Sequence, residues 1–225
     1  MLLLLVFLSL VEDKYTRVFK VDSDAVVLKI TNAAGSITVK SWTRPEVKVS
    51  ALVSEKSAEI KASQVEDEIT ISVATNKMCP VEFEVYAPKG CVLDLSCLQC
   101  SITIVGMNGK ILAQNTDGPI TITDSTSQNI TAKSITGGIN YSGTLAEQGI
   151  YHFHSVENLV EVVLNPQSTF TLMATATAGS IDLGSFQMSE VTSHGKWVAG
   201  RYGTGKASLN LSTHRGKIRL VKANK

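Results

Sequence analysis

An excess of either charge is missing from this chain: 21 Lys and Arg face 20 Asp and Glu over 225 residues, a formal net charge of +1. No basic stripe gathers on any segment, which excludes the electrostatic footprint of a nucleic-acid binder. Long amphipathic Leu/Ala/Glu/Lys stretches are also absent, while Thr, Ser, Val and Ile are abundant, so strands are favoured over helices. No apolar run reaches the roughly 20 residues that span a bilayer. The run that opens the chain, "MLLLLVFLSLV", has the length of a signal-peptide core but lacks a preceding Lys or Arg and a following small-x-small site. Residues 1–13 are therefore read as an apolar leader, a truncated signal segment, with a buried first strand as the alternative. A membrane is expected to be met only through this leader where it stays uncleaved.

Chemistry-bearing patterns are scarce as well. There is no Gly-x-Ser-x-Gly elbow, and no Gly-rich loop opens a helix that could cradle a nucleotide. Residues 101–142 carry only Lys110, Asp117, Asp124 and Lys133 as charges, and the two aspartates read as turn residues. The paired carboxylates of glycoside cleavage have no signature there.

Repetition fills the space. At 44% apolar the chain can bury a sizeable core, and its apolar residues come as apolar-x-apolar pairs, the mark of strands with one buried face. The first members of these pairs are Phe19, Leu28, Ile37 and Val47, then Ile60, Ile69, Phe83 and Leu93. The series continues through Ile102, Ile111, Ile120, Ile130 and Ile139 to Tyr151, Val160, Phe170 and Ile181, and ends with Leu209 and Ile218. A beat of nine to ten residues holds one strand and one corner, too short for a helix-containing repeat. A small or turn-forming residue often sits two places before the pair: Gly35, Cys100, Gly109, Gly118, Gly137, Gly179 and Gly216. Glycine there is expected to supply backbone angles that a Cβ would strain. Two beats make a coil of about 19–20 residues, stacking Ile102, Ile120, Ile139, Val160 and Ile181. The expected fold is all-β, a single-domain β-solenoid of the parallel β-helix kind over residues 14–225; a β-sandwich is the alternative.

The beat breaks twice. Residues 50–83 loosen and gain charge ("SEKSAEIKASQVEDEIT"), which predicts wider coils or longer strands. Residues 184–208 form an irregular excursion carrying Trp197, Arg201 and Tyr202, a candidate binding loop or an end cap over the last open edge. All four cysteines, Cys79, Cys91, Cys97 and Cys100, fall within 22 residues. They are a candidate disulfide or thiol cluster whose pairing the sequence leaves open among three connectivities. Cys97-x-x-Cys100 has zinc or redox spacing, but a second ligand pair and an adjoining helix start are lacking, so no metal is assigned. His152 and His154 share a strand face that the phase of Tyr151 and Phe153 turns outward, and His194 and His214 lie far off in sequence. Outward hydroxyls recur at Thr103, Thr121, Thr123, Thr131, Ser142, Thr175 and Thr177 and suit a solvated β-face.

The run "GSITVKSWTRPEVKV" (residues 35–49), then "VEFEVYAPKG" (81–90), the stacked "NGKI", "DGPI" and "GGI" units, and "GTGKASLNLSTHRGKIRL" (203–220) resemble, in that order, the bacterial putative-adhesin domain family of unknown function. The resemblance covers about residues 19–220. It implies a β-solenoid outside the cytoplasm, associated with the cell envelope, with no catalytic residues or cofactor to carry over. Where the family has Gly or Asn at the first repeat corner this chain has Cys100 within "CLQC", which leaves a local disulfide or metal role open. The leading expectation is thus a non-enzymatic, exported module for binding or assembly at the cell surface, its partner a surface glycan or an envelope protein. A glycan-active β-helix lyase or hydrolase and a structural spacer are the alternatives.

Overall fold

The computed structural model describes residues 13–54, 58–74 and 78–223. The apolar leader lies outside the described residues as far as residue 12. Among the described residues there is no helix, and the strands are β1 (Asp13–Lys20), β2 (Val27–Trp42), β3 (Glu46–Val53), β4 (Glu59–Val65), β5 (Glu68–Ala74), β6 (Pro80–Pro88) and β7 (Val92–Val105). There follow β8 (Ile111–Asp117), β9 (Ile120–Ser125), β10 (Asn129–Ser134), β11 (Ile139–Gly143), β12 (Ile150–Ser155) and β13 (Val160–Leu164). Last come β14 (Phe170–Ala176), β15 (Ser180–Asp182), β16 (Ser189–His194), β17 (Trp197–Tyr202), β18 (Ala207–Thr213) and β19 (Lys217–Lys222). The all-β expectation holds, and the strands join in one 19-stranded sheet.

Register divides that sheet into two ladders, because β2 and β7 are long enough to serve in both. In the first ladder Leu28, Leu93, Ile111, Ile130, Tyr151, Leu209 and Leu172 follow one another in parallel register. In the second, Ile37, Ile102, Ile120, Ile139, Val160, Ile218 and Ile181 do the same. The inward residues of both ladders meet in one core. Tyr141 of the second ladder packs on Phe153 of the first at 5.3 Å between ring centroids. Each buried Ile or Leu contributes about 1.5–3 kcal/mol by leaving water, and one coil alone has no partner surface to bury it against.

Three expectations need correction. Ile181 does not stack on Val160, because Ile218 pairs with both: the chain leaves at β15, detours, and returns to lay β18 and β19 between the two preceding coils. The chain therefore does not close into a uniformly wound coil. The charged stretch after Val49 is not a wider coil: β3 pairs antiparallel with β1 and β6, and β4 and β5 form an antiparallel hairpin. Finally, among the corner glycines only Gly35 and Gly118 have positive φ, 109° and 105°. At Gly137, Gly179 and Gly216 the cause is close approach, since a Cβ would run into the carbonyl oxygens of Gly118, Gly216 and Asn158 on the neighbouring coil.

The corner between the ladders has its own buried column: Asn32, Cys97, Asn115, Ser134, Ser155, Thr213 and Ala176 in direct register. A corner cannot complete its backbone ladder, so the Asn, Ser and Thr side chains of this column take up loose groups. Asn115 Nδ2 donates to the carbonyls of Cys100 at 3.2 Å and Gly118 at 2.6 Å. Ser134 Oγ accepts the Gly137 N–H at 3.0 Å, and Ser155 Oγ donates to the Gly137 carbonyl at 2.8 Å.

Candidate functional site

The cysteines divide by place in the fold. Cys97 and Cys100 form a disulfide, Cα to Cα 5.9 Å, across the corner where the other coils use Asn, Ser or Thr. The "CLQC" stretch thus replaces a side-chain cap by a covalent one. Cys79 is buried just before β6, and Cys91 is buried just before β7. Burial pushes the Cys91 thiol up to about 12, so it stays protonated and unreactive near neutrality. Among the described residues no three His, Cys, Asp or Glu gather in a way that could hold a metal ion.

The excursion is a hairpin: β16 pairs antiparallel with β17, which pairs antiparallel with β14 and so covers that strand's parallel edge. Its three candidate residues do not converge. Tyr202 lies opposite inward Phe170 and packs at 5.5 Å on that ring and 4.9 Å on Phe186, with its hydroxyl donating to the Pro166 carbonyl at 3.2 Å. Arg201 pairs with Glu190 at 3.0 Å on the outer side. Trp197 is half-buried opposite Thr175, and four residues of extended chain place it about 13 Å from Arg201. His152 is exposed, and His154 Nδ1 shares a hydrogen bond of 2.7 Å with Ser212 Oγ. Asp117 accepts the Thr136 hydroxyl at 2.8 Å and Asp124 sits at φ +53° in a turn, so both aspartates serve corners.

The outward face of the second ladder is ten strands wide, from β1 through β3, β6, β2, β7, β9, β11, β13 and β19 to β15. Along one outward row Thr38, Thr103, Thr121 and Asn140 stand side by side on neighbouring strands about 4.8 Å apart. The flanks of this hydroxyl and amide centre are charged and carry ion pairs. On one side Lys40 Nζ lies 2.9 Å from Glu84 Oε1; on the other Arg219 meets Glu161 at 3.2 Å and Lys217 meets Asp182 at 3.0 Å. The hydrogen bond to Glu84 raises Lys40, and Lys40 followed by the Tyr86 hydroxyl lowers Glu84. Both groups are exposed, so water and salt screen the pair.

Sequence reasoning missed the aromatic part of this face. Trp42 and Tyr86 lie 5.5 Å apart, ring to ring, at the ends of β2 and β6. Both sit inside the "VKSWTRPEV" and "EVYAPKG" runs, and alternation after Ile37 and Val39 puts residues 38, 40 and 42 outward. That phase was the available signal for an outward Trp.

No family model matches the chain, and no curated protein matches it. Solved structures do. A putative cell adhesion protein from Clostridium sporogenes is similar with a TM-score of 0.58 at 12% identity, over 94% of this chain and 100% of that one. A putative adhesin from Bacteroides fragilis gives a TM-score of 0.37 at 10% identity, over 93% of this chain and 97% of that one. At such identity the first likeness speaks to fold alone.

Proposed function

We propose that the protein is a non-enzymatic module exported from the cytoplasm, which presents the broad outer face of its second ladder to a glycan or protein of the cell surface. The observation that carries this reading is the ten-strand face itself, with a hydroxyl and amide centre between charged flanks that carry ion pairs. Such a surface is preformed, so binding orders few side chains. The architecture is taken to be a two-faced β-solenoid rather than a sandwich, supported by parallel register from β7 through β13, where hairpin-linked sandwich strands would run antiparallel. The cell-adhesion description of the Clostridium protein, whose fold is similar over nearly the whole chain, agrees with a surface role.

Purified protein added to intact cells of the producing strain tests the reading. Saturable retention, with no turnover of added polysaccharides, is the expected result. Turnover lost on Asp117→Asn or Asp124→Asn would restore the glycan-active enzyme, and absence of retention would leave a spacer.

A further inference from the structure

The outward surface at the β2–β6 end is built unlike the rest of the face. Tyr86 lies in register between Lys48 on β3 and Lys40 on β2. Its ring and that of Trp42 are tilted 31° to each other, and both are half-buried, leaving an aromatic ledge open to solvent. The ledge is held in place: Trp42 Nε1 donates to the Glu46 carbonyl at 2.7 Å, and the Tyr86 hydroxyl donates to Glu84 Oε1 at 3.0 Å. Beside it lies a shallow, open depression of about 430 Å3 whose lining sets Lys14, Lys40 and Lys48 against Glu82 and Glu84 around Thr38 and Ser50. That is within the span of about 300–1,000 Å3 usual for small-ligand sites.

The geometry points to this ledge and depression as a binding site for a neutral, hydroxyl-rich polysaccharide, the pyranose rings lying on Tyr86 and Trp42. A pyranose presents an apolar C–H face and a rim of hydroxyls; aromatic faces take the first, since Tyr and Trp combine a rigid apolar body with a polar tip. The rim meets Thr38, Ser50 and Glu84. Lys40 and Tyr86 both donate to Glu84 Oε1, which leaves Oε2 as an acceptor for a sugar hydroxyl. The charge of the lining nearly cancels, Lys14, Lys40 and Lys48 against Glu82 and Glu84, which does not favour an anion. Lys40 is engaged by Glu84 and lies 5.7 Å from the Tyr86 ring, and Arg44 lies 3.6 Å from Glu46 and 5.2 Å from the Trp42 ring, so each cation takes one face of its ring. The Thr38, Thr103 and Thr121 row continues from the depression across the strands and gives an extended polymer a path. The inference rests on the surface-binding reading above and names its ligand class.

Affinity electrophoresis of the full chain in soluble mannan, dextran and xyloglucan, with polygalacturonate as the acidic probe, tests it. The expected result is retardation by at least one neutral polymer, insensitive to salt. Tyr86→Ala and Trp42→Ala should weaken it about tenfold or more, as for buried aromatic anchors. Tyr86→Phe and Glu84→Gln, which keep the packing, should weaken it less, and Met173→Ala on the other ladder should not change it. Retardation untouched by any Tyr86, Trp42 or Glu84 variant overturns the site, as does absence of retardation by the neutral polymers. Retardation by polygalacturonate alone, abolished by salt, overturns the ligand class. If Tyr86→Ala binds cells as wild type does, the surface role stands without this site; if wild type binds neither cells nor polymers, both fall.

Discussion

A single methyl group at Gly137 tests the stacking of the corners. A Cβ there would lie 2.5 Å from the Gly118 carbonyl carbon and 2.8 Å from Ser134 Oγ, with the Gly118 carbonyl oxygen closer still. The obstacle is backbone of the adjacent coil, which cannot rotate away as a side chain would. The Gly137 N–H and carbonyl are both hydrogen-bonded, to Ser134 Oγ at 3.0 Å and from Ser155 Oγ at 2.8 Å, so relief means stretching those bonds or parting β9 from β11. Overpacking a closed site costs about 1–3 kcal/mol, and backbone against backbone belongs at the upper end. At about 2–4 °C per kcal/mol for a chain of this length, Gly137→Ala should lower Tm by roughly 6–12 °C. Gly195→Ala is the control: nothing lies within 4 Å of its added Cβ, and only its φ of +58° opposes the change, about 1–2 kcal/mol for an L-residue. Differential scanning calorimetry of the two variants decides. Equal melting of Gly137→Ala and wild type would refute the close approach of the corners.

Ile120→Asp places an unpaired carboxylate between Ile102 and Ile139 and should cost about 3–5 kcal/mol, whereas Thr121→Asp on the outer face should stay within about 0.5 kcal/mol; equal thermal melts would invert the inward phase. Asn115→Ala strips the donor from the Cys100 and Gly118 carbonyls, and urea titration should register about 1–3 kcal/mol. Reducing the Cys97–Cys100 bridge, or replacing both residues by Ser, should cost about 2 kcal/mol by loop closure, seen as a lower Tm in reductant. The Cys91 thiol is raised in the folded state, so the stability it contributes is complete below the unfolded pKa and fades as pH rises toward about 12; peptide mapping after iodoacetamide at pH 9 should find it unlabelled until denaturant is added, and native labelling would contradict its burial.

Much of the fold was legible in period alone. The steps from Ile102 to Ile120, Ile139 and Val160 are the register steps of β7, β9, β11 and β13, because alternation decides which residues share a face and coil length decides which residues meet. Period does not say which coil lies next to which. Ile181 and Ile218 are the same residue in the same phase, and either could follow Val160; only the β16–β17 hairpin, which covers β14, shows why the chain returns inside its last coil. The corner column was hidden because Asn32, Cys97, Asn115, Ser134, Ser155 and Thr213 share a task rather than a residue type. Tyr202 looked like part of a binding loop because a loop-borne aromatic reads the same whether it faces solvent or Phe170 and Phe186. The Trp42–Tyr86 pair was legible one strand at a time, but its partnership depends on β2 lying beside β6, where the paired residues are 46 apart in sequence.

Where the protein resides bears most directly on its proposed role at the cell surface. Cells of the producing strain would be fractionated, and intact cells treated with an added protease before the chain is detected by antibody. Recovery in the envelope or medium fraction, with the envelope-bound chain degraded from outside, is the expected result. Recovery in the cytosol, protected from protease until the cells are lysed, would contradict a surface-binding function.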